Sequence, residues 1–486
     1  MDNLLSITIF IPAIAAAILG IFLRGDDVEA HRNAKWVAFI ASAMTFVVSL
    51  FILFEFDAGD AGFQFVEEHE WPLGVTYRVG VDGISLWLVM LTTFLMPLII
   101  AGAWRTERRT KGFMIALLAL ETLILGAFLS LDLMFFFLFA EGAILPLLVV
   151  LGIWGGDAGR GSAIKLALYA LPGAVVMLVA MVVMAFDAGT TDIEALKTHQ
   201  FSETISPLWM ALAFLASFAV KLPVWPLHAW TAGVQGRVPP AAGIVLAVLL
   251  SKIGAYGILR FVLPMFPEGV ALLAPIAVWV SVFMILYGAL VALAQSDLVR
   301  LMAYVSMAHM GFVLLGVFSA NPQGVDGAIF FMVSHGIALA ALMLVVAALR
   351  DRVGSTDMAA FGGVAARMPV LAFGALIFTL ASLGVPGTSG FVGLFLTMVG
   401  VFAAAPVIAA LALVGLAVLA AALFGMIKRV IFGPLIKQSL MELGDLNRRE
   451  LLVFAALFGA VLYLGLFPGI VTESTAASVD ALVFRE

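Results

Sequence analysis

The chain has 486 residues, 64% of them hydrophobic and only 12% charged, with a formal net charge of −6 and no cysteine. Soluble globular proteins carry about 25% charged residues, so this composition argues for a polytopic membrane protein. The lack of cysteine excludes disulfides, thiolate-held iron–sulfur clusters and cysteine nucleophiles, and no basic cluster suggests nucleic acid.

The first apolar stretch, Met1–Phe22, begins with an acidic residue and has no basic n-region, so it reads as a span and not as a cleaved signal. About 20 apolar residues cross a bilayer. On that ruler the sequence predicts an all-α polytopic membrane protein with about fourteen transmembrane helices. They run roughly over 4–23, 35–55, 83–103, 113–130, 133–154, 163–186, 207–230, 240–263, 272–294, 301–319, 326–349, 369–403, 405–427 and 450–470. The segments 56–82 and 187–206 are acidic and read as external loops.

Basic residues sort by side. Of the 25, eighteen fall in loops after odd-numbered spans, among them Arg24, Arg108, Arg160 and Arg350. Four (Arg78, Lys197, Arg260 and Arg485) fall after even spans or at the C-terminus, and three are lysines inside spans. The positive-inside rule then places both termini outside the cytoplasm.

Ionisable residues inside spans cost at least ~2.5–3.5 kcal/mol each on insertion scales and are usually functional. In span four, Glu121 is deep enough to pair with a neighbouring lysine, whereas Asp132 stands at a loop edge and reads as wet. Glu141 of span five has no cation near it in sequence, so it requires one from another helix or must be protonated. Lys165 begins span six, and an alternative to a functional role is that it snorkels to the interface.

Span seven contains Phe218-Ala-Val-Lys221-Leu-Pro223-Val-Trp-Pro226-Leu-His228, with two prolines directly after the lysine. Lys221 is the natural partner for Glu141, and the alternative is a static structural pair. His228 falls two helical turns beyond Lys221 if the helix resumes. Lys252 is at the middle of span eight. Buried lysines release protons readily, and His309 and His335 in spans ten and eleven would add relays, unless they only join helices by hydrogen bonds. Glu141, Lys221, Lys252 and the histidines would then form a polar row along the membrane midplane.

Span twelve is interrupted by Leu383-Gly384-Val-Pro386-Gly387-Thr-Ser-Gly390. Interrupted backbone in lipid is tolerated only where protein buries it or where it lines a wet cavity. Breaks five spans apart suggest two inverted five-helix repeats, spans 4–8 and 9–13, with a transport site near the breaks. The expected organisation is 1–110 for the N-terminal spans, 111–265 and 266–430 for the two repeats, and 431–486 for a loop and the last span.

Several motifs carry a family resemblance over essentially the whole chain. They are Val81-Asp-Gly-Ile-Ser85, the Lys221 segment, Ala294-Gln-Ser-Asp297, Ala308-His-Met-Gly311, Ser334-His-Gly336 and Val385-Pro-Gly-Thr-Ser-Gly-Phe-Val-Gly393. With them the chain resembles the antiporter-like M-type subunits of bacterial NADH-quinone oxidoreductase, respiratory complex I, which share ancestry with Mrp-type antiporters. The resemblance implies a multi-pass subunit of the bacterial inner membrane beside L-, N- and K-like subunits. Proton translocation would be driven by quinone reduction on other subunits, and this chain would carry no redox cofactor or metal. It also implies that Glu141, Lys221 and Lys252 transfer protons, with Lys165, His228, His309 and His335 on positions that are usually polar.

Three departures stand out. The glutamate expected in span twelve is Leu394, Gly233 stands where an aspartate belongs, and the Tyr-Ser-Ser of span ten reads Tyr304-Val-Ser306. Leu394 leaves open a non-pumping structural or coupling subunit, and a free-standing cation/proton antiporter is a further alternative.

Overall fold

The computed structural model describes residues 3–25, 27–71, 75–106, 108–202, 205–435 and 437–483; Arg485 lies outside them. With no water in a bilayer core, each apolar segment satisfies its backbone by forming a helix. Among the described residues, twelve helices are long and apolar enough to cross a membrane. Three shorter apolar helices, Pro207–Lys221, Pro369–Ser382 and Ser389–Ala404, fall at the two interrupted segments, spans seven and twelve.

The ends differ from expectation where caps decide them. Span two begins at Val28, a full turn and more before residue 35, because the Asp27 side chain accepts from Ala30 N and starts the helix. Span fourteen, Arg448–Leu466, opens on a capping box between Asn447 and Glu450, and a further helix, Gly469–Val483, follows it. The segment read as the loop 56–82 contains an antiparallel β-hairpin, Gln64–Trp71 against Val75–Val81.

The chain divides into two compact units. The first comprises Met1–Pro223, Arg237–Pro275 and Ser474–Glu486, and the second Val224–Gly236 and Ile276–Glu473. In the first unit, span eight (Pro240–Met265) is buried along its whole apolar window, while Ile14, Leu168 and Phe186 stand exposed on the outer spans. In the second, span eleven (Pro322–Val353) is buried in the same way. Lys252 and His335 therefore lie on helices wrapped by protein and not by lipid.

Each unit contains the same local clasp. In the first, Asp132 caps the helix Leu133–Gly142, its side chain accepting from Met134 N and Phe135 N and from the Thr191 hydroxyl. In the second, Asp297 caps Leu298–Val317 and accepts from the Thr356 hydroxyl, again 59 residues away. Isolated bridges, Asp132 to Asp192 and Asp297 to Asp357, accompany the two clasps. Asp132 is therefore buried and not wet. Burial raises the affinity of its carboxyl for a proton above the usual carboxylate range, only partly offset by the Thr191 hydroxyl and the two backbone donors.

Candidate functional site

The span-seven helix ends at Lys221, because Pro223 and Pro226 cannot donate to the preceding turn. The ammonium thus sits at a helix C-terminus, where the carbonyl ends favour a cation. Lys221 Nζ lies 2.5 Å from Glu141 Oε1, and the Lys221 side chain is only 2% exposed. Ser217, one turn before Lys221, donates from its hydroxyl to the same Oε1 at 2.8 Å and accepts from Lys221 Nζ at 3.0 Å. Glu141 itself is presented at an interruption: span five is two helices, Leu133–Gly142 and Ile144–Trp154. The sequence reading missed Ser217, though its i, i+4 spacing from Lys221 could have found it.

Span eight approaches this pair closely. A Cβ on Gly254 would lie 2.7 Å from Phe218 O and 2.8 Å from Leu222 N, so only glycine lets the two backbones meet. Two residues earlier, Lys252 is fully buried. Its helical stretch, Ser251–Gly257, lies between two π-helical turns, Val245–Leu250 and Ile258–Val262, a widening often found at functional sites. The structure joins Glu141 and Lys221 directly and places Lys252 on the neighbouring span of the same unit.

Further along span eight, Arg260 is inside the span and not in the loop after it. Its guanidinium donates to Asp82 Oδ1 at 2.6 Å and to Tyr256 Oη at 3.1 Å, and Tyr256 donates to Phe128 O at 3.1 Å. Asp82 also caps span three through Ser85 N. Burial pushes the Asp82 carboxyl up, but the Arg260 charge and the hydrogen bonds outweigh it and hold the group below the usual carboxylate range.

The remaining residues lie elsewhere. Lys165 is exposed near the start of Gly159–Ala188. Glu121 pairs with no lysine; its carboxylate accepts from the Ser42 hydroxyl of span two. His228 belongs to the second unit, buried with its ring 5.3 Å edge-on from Tyr287. The backbone after Lys221 does not resume as a helix until Thr231, so the two-turn spacing does not hold. His309 and His335, also in the second unit, are buried side by side with ring centroids 5.3 Å apart.

Span twelve packs on span eleven beside these rings: a Cβ on Gly393 would come 2.6 Å from Cα of Phe331, whose ring is 5.4 Å from His309. Leu394 is buried here. Span twelve contains no acid in its place, but Thr379, Ser389 and Thr397 of the same span have buried hydroxyls with no hydrogen-bond partner among the described residues. Buried hydroxyls of this kind ordinarily hold ordered water.

Residues 130–420 match the family model described as NADH:quinone oxidoreductase/Mrp antiporter, transmembrane. The chain belongs to this family. It is 48% identical to NADH-quinone oxidoreductase subunit M of Rhodobacter capsulatus, over 99% of this chain and 97% of that protein. It is 39% identical to NADH-ubiquinone oxidoreductase chain 4 of Marchantia polymorpha, over 93% and 92%. Among solved structures, a chain of respiratory complex I from Thermus thermophilus with bound NADH superposes with a TM-score of 0.90 at 28% identity, over 99% of this chain and all of that one. A chain of the Mrp complex from Dietzia superposes with a TM-score of 0.85 at 20% identity, which is a likeness of fold. The resemblance drawn from the motifs thus holds over the full length, and this is a multi-pass membrane protein.

Proposed function

We propose that the chain is a membrane-arm subunit of a proton-translocating NADH:quinone oxidoreductase, moving protons through Glu141, Lys221 and Lys252. The observation that carries this reading is the 2.5 Å pair between buried Lys221 and half-buried Glu141 at a helix break, with Lys252 on the span that packs against the Lys221 helix. At an effective dielectric of ~20, a pair 4 Å apart interacts by roughly 4 kcal/mol before desolvation. Closing the pair holds the Lys221 ammonium against the carboxylate, and opening it frees Lys221 to pass its proton toward Lys252. Quinone reduction on other subunits supplies the energy, and NADH, flavin, clusters and quinone belong to those subunits. The partners are L-, N- and K-like membrane-arm subunits.

In this reading the chain crosses a bacterial inner membrane fourteen times with both termini in the periplasm. The duplicated aspartate–threonine clasp supports two inverted repeats, spans 4–8 and 9–13. His309 and His335 are assigned as relays of the second unit, where Thr379, Ser389 and Thr397 add buried hydroxyls to the span that lacks the acid at Leu394. Leu394 also favours a second reading, a non-pumping scaffold of the same complex.

Glu141→Ala separates the two. Proton translocation by the assembled, reconstituted complex is expected to be nearly abolished, whereas unchanged stoichiometry and turnover would support the scaffold.

A further inference from the structure

Glu121 lies in span four (Thr110–Leu129), fully buried, and the translocation route above does not use it. Its Oε2 accepts from Ser42 Oγ, and its Oε1 has no hydrogen-bond partner among the described residues. No described lysine, arginine or histidine forms an ion pair with it. An ionised carboxylate buried with a single hydroxyl donor is costly, and such a group is retained in a membrane interior for function more often than for stability.

Its position relates it to Lys252. Spans four and eight pack together where Tyr256 Oη donates to Phe128 O at 3.1 Å. Three crossings separate these spans, so they run in the same direction. Glu121 stands seven residues before Phe128, and Lys252 four before Tyr256. At 1.5 Å rise per residue these are roughly 10 Å and 6 Å back from the contact, within one helical turn of each other in depth.

We propose that Glu121 is a second proton-carrying carboxyl of the first unit, held by Ser42, that exchanges a proton with Lys252. The Glu121 O–H bond breaks as an N–H bond forms on the Lys252 amine, directly or along intervening water. The carboxylate left behind faces the new ammonium, which offsets its charge, and the reverse transfer resets the pair. The proposal rests on Lys252 being a proton carrier, and its test separates the two ideas.

The test is infrared difference spectroscopy of the whole complex, paired with the H⁺/e⁻ ratio in vesicles, for wild type, Glu121→Gln, Ser42→Ala and Lys252→Ala. A protonated carboxyl band sensitive to D₂O is expected in wild type and lost in Glu121→Gln, with a lower H⁺/e⁻ ratio. In Ser42→Ala, which keeps the carboxyl, the band is expected to shift. A band that survives Glu121→Gln, or a wild-type ratio in that variant, overturns the proposal. If Glu121→Gln does not assemble, an unshifted band in Ser42→Ala overturns it instead. A wild-type ratio in Lys252→Ala defeats the translocation reading, while loss of the band in Glu121→Gln would still identify Glu121 as the acid.

Discussion

A single carboxylate oxygen, Glu141 Oε1, receives both the Lys221 ammonium and the Ser217 hydroxyl. Hydrogen bonds to charged groups contribute about 1.5–3 kcal/mol, so Ser217 tunes the pair without being its source of charge. Lys221→Arg keeps a cation there but one that does not deprotonate in proteins. The complex is therefore expected to assemble with Lys221→Arg and lose proton translocation, measured as proton uptake per NADH oxidised. A purely structural pair would tolerate the change. Asp82 and Arg260 form a buried ion pair in the same unit. Removing one partner of such a pair costs about 3–5 kcal/mol, so Asp82→Asn is expected to lower thermal stability clearly. Because the folded Asp82 carboxyl lies below its ordinary value, its contribution is present above the unfolded value of about 3.9 and is lost as pH falls through the lower folded one. The melting temperatures of wild type and Asp82→Asn should therefore converge in acid, and a constant gap would contradict the assignment.

At the scale of elements, the close approach of spans seven and eight depends on Gly254. Gly254→Ala would push a methyl against Phe218 O and Leu222 N, and overpacking of this kind costs about 1–3 kcal/mol. Turnover is expected to fall in Gly254→Ala, while Gly161→Ala, with open space around it, should be silent. Equal activity in the two would mean that the contact does not matter. The breaks were legible because Pro223, Pro226, Gly384 and Pro386 punctuate otherwise continuous apolar runs. The π-helical turns around Lys252 were not, since nothing in Val-Leu-Ala-Val-Leu-Leu marks a change of helical pitch. Asp132 was misread because its partner Thr191 is 59 residues away, and a loop edge is ordinarily wet. Arg260 was misread for a similar reason: its counter-charge, Asp82, lies on a distant segment. The sequence could identify Glu141, Lys221 and Lys252 from the cost of charge in an apolar run, but not who pairs with whom beyond the first guess.

At the scale of the whole molecule, the absence of cysteine makes membrane topology directly measurable. Single cysteines at Gly59 and at Arg160, both exposed, should label from opposite sides of the membrane, Gly59 from the periplasm and Arg160 from the cytoplasm. Labelling of both from one side would contradict the orientation. The buried cations of the first unit either carry protons or only hold helices. The H⁺/e⁻ ratio of the reconstituted complex bearing Lys252→Ala decides this most directly, with assembly checked on native gels. A lowered ratio with intact assembly is the predicted result. A wild-type ratio and turnover would contradict the account and leave these charges a structural role alone.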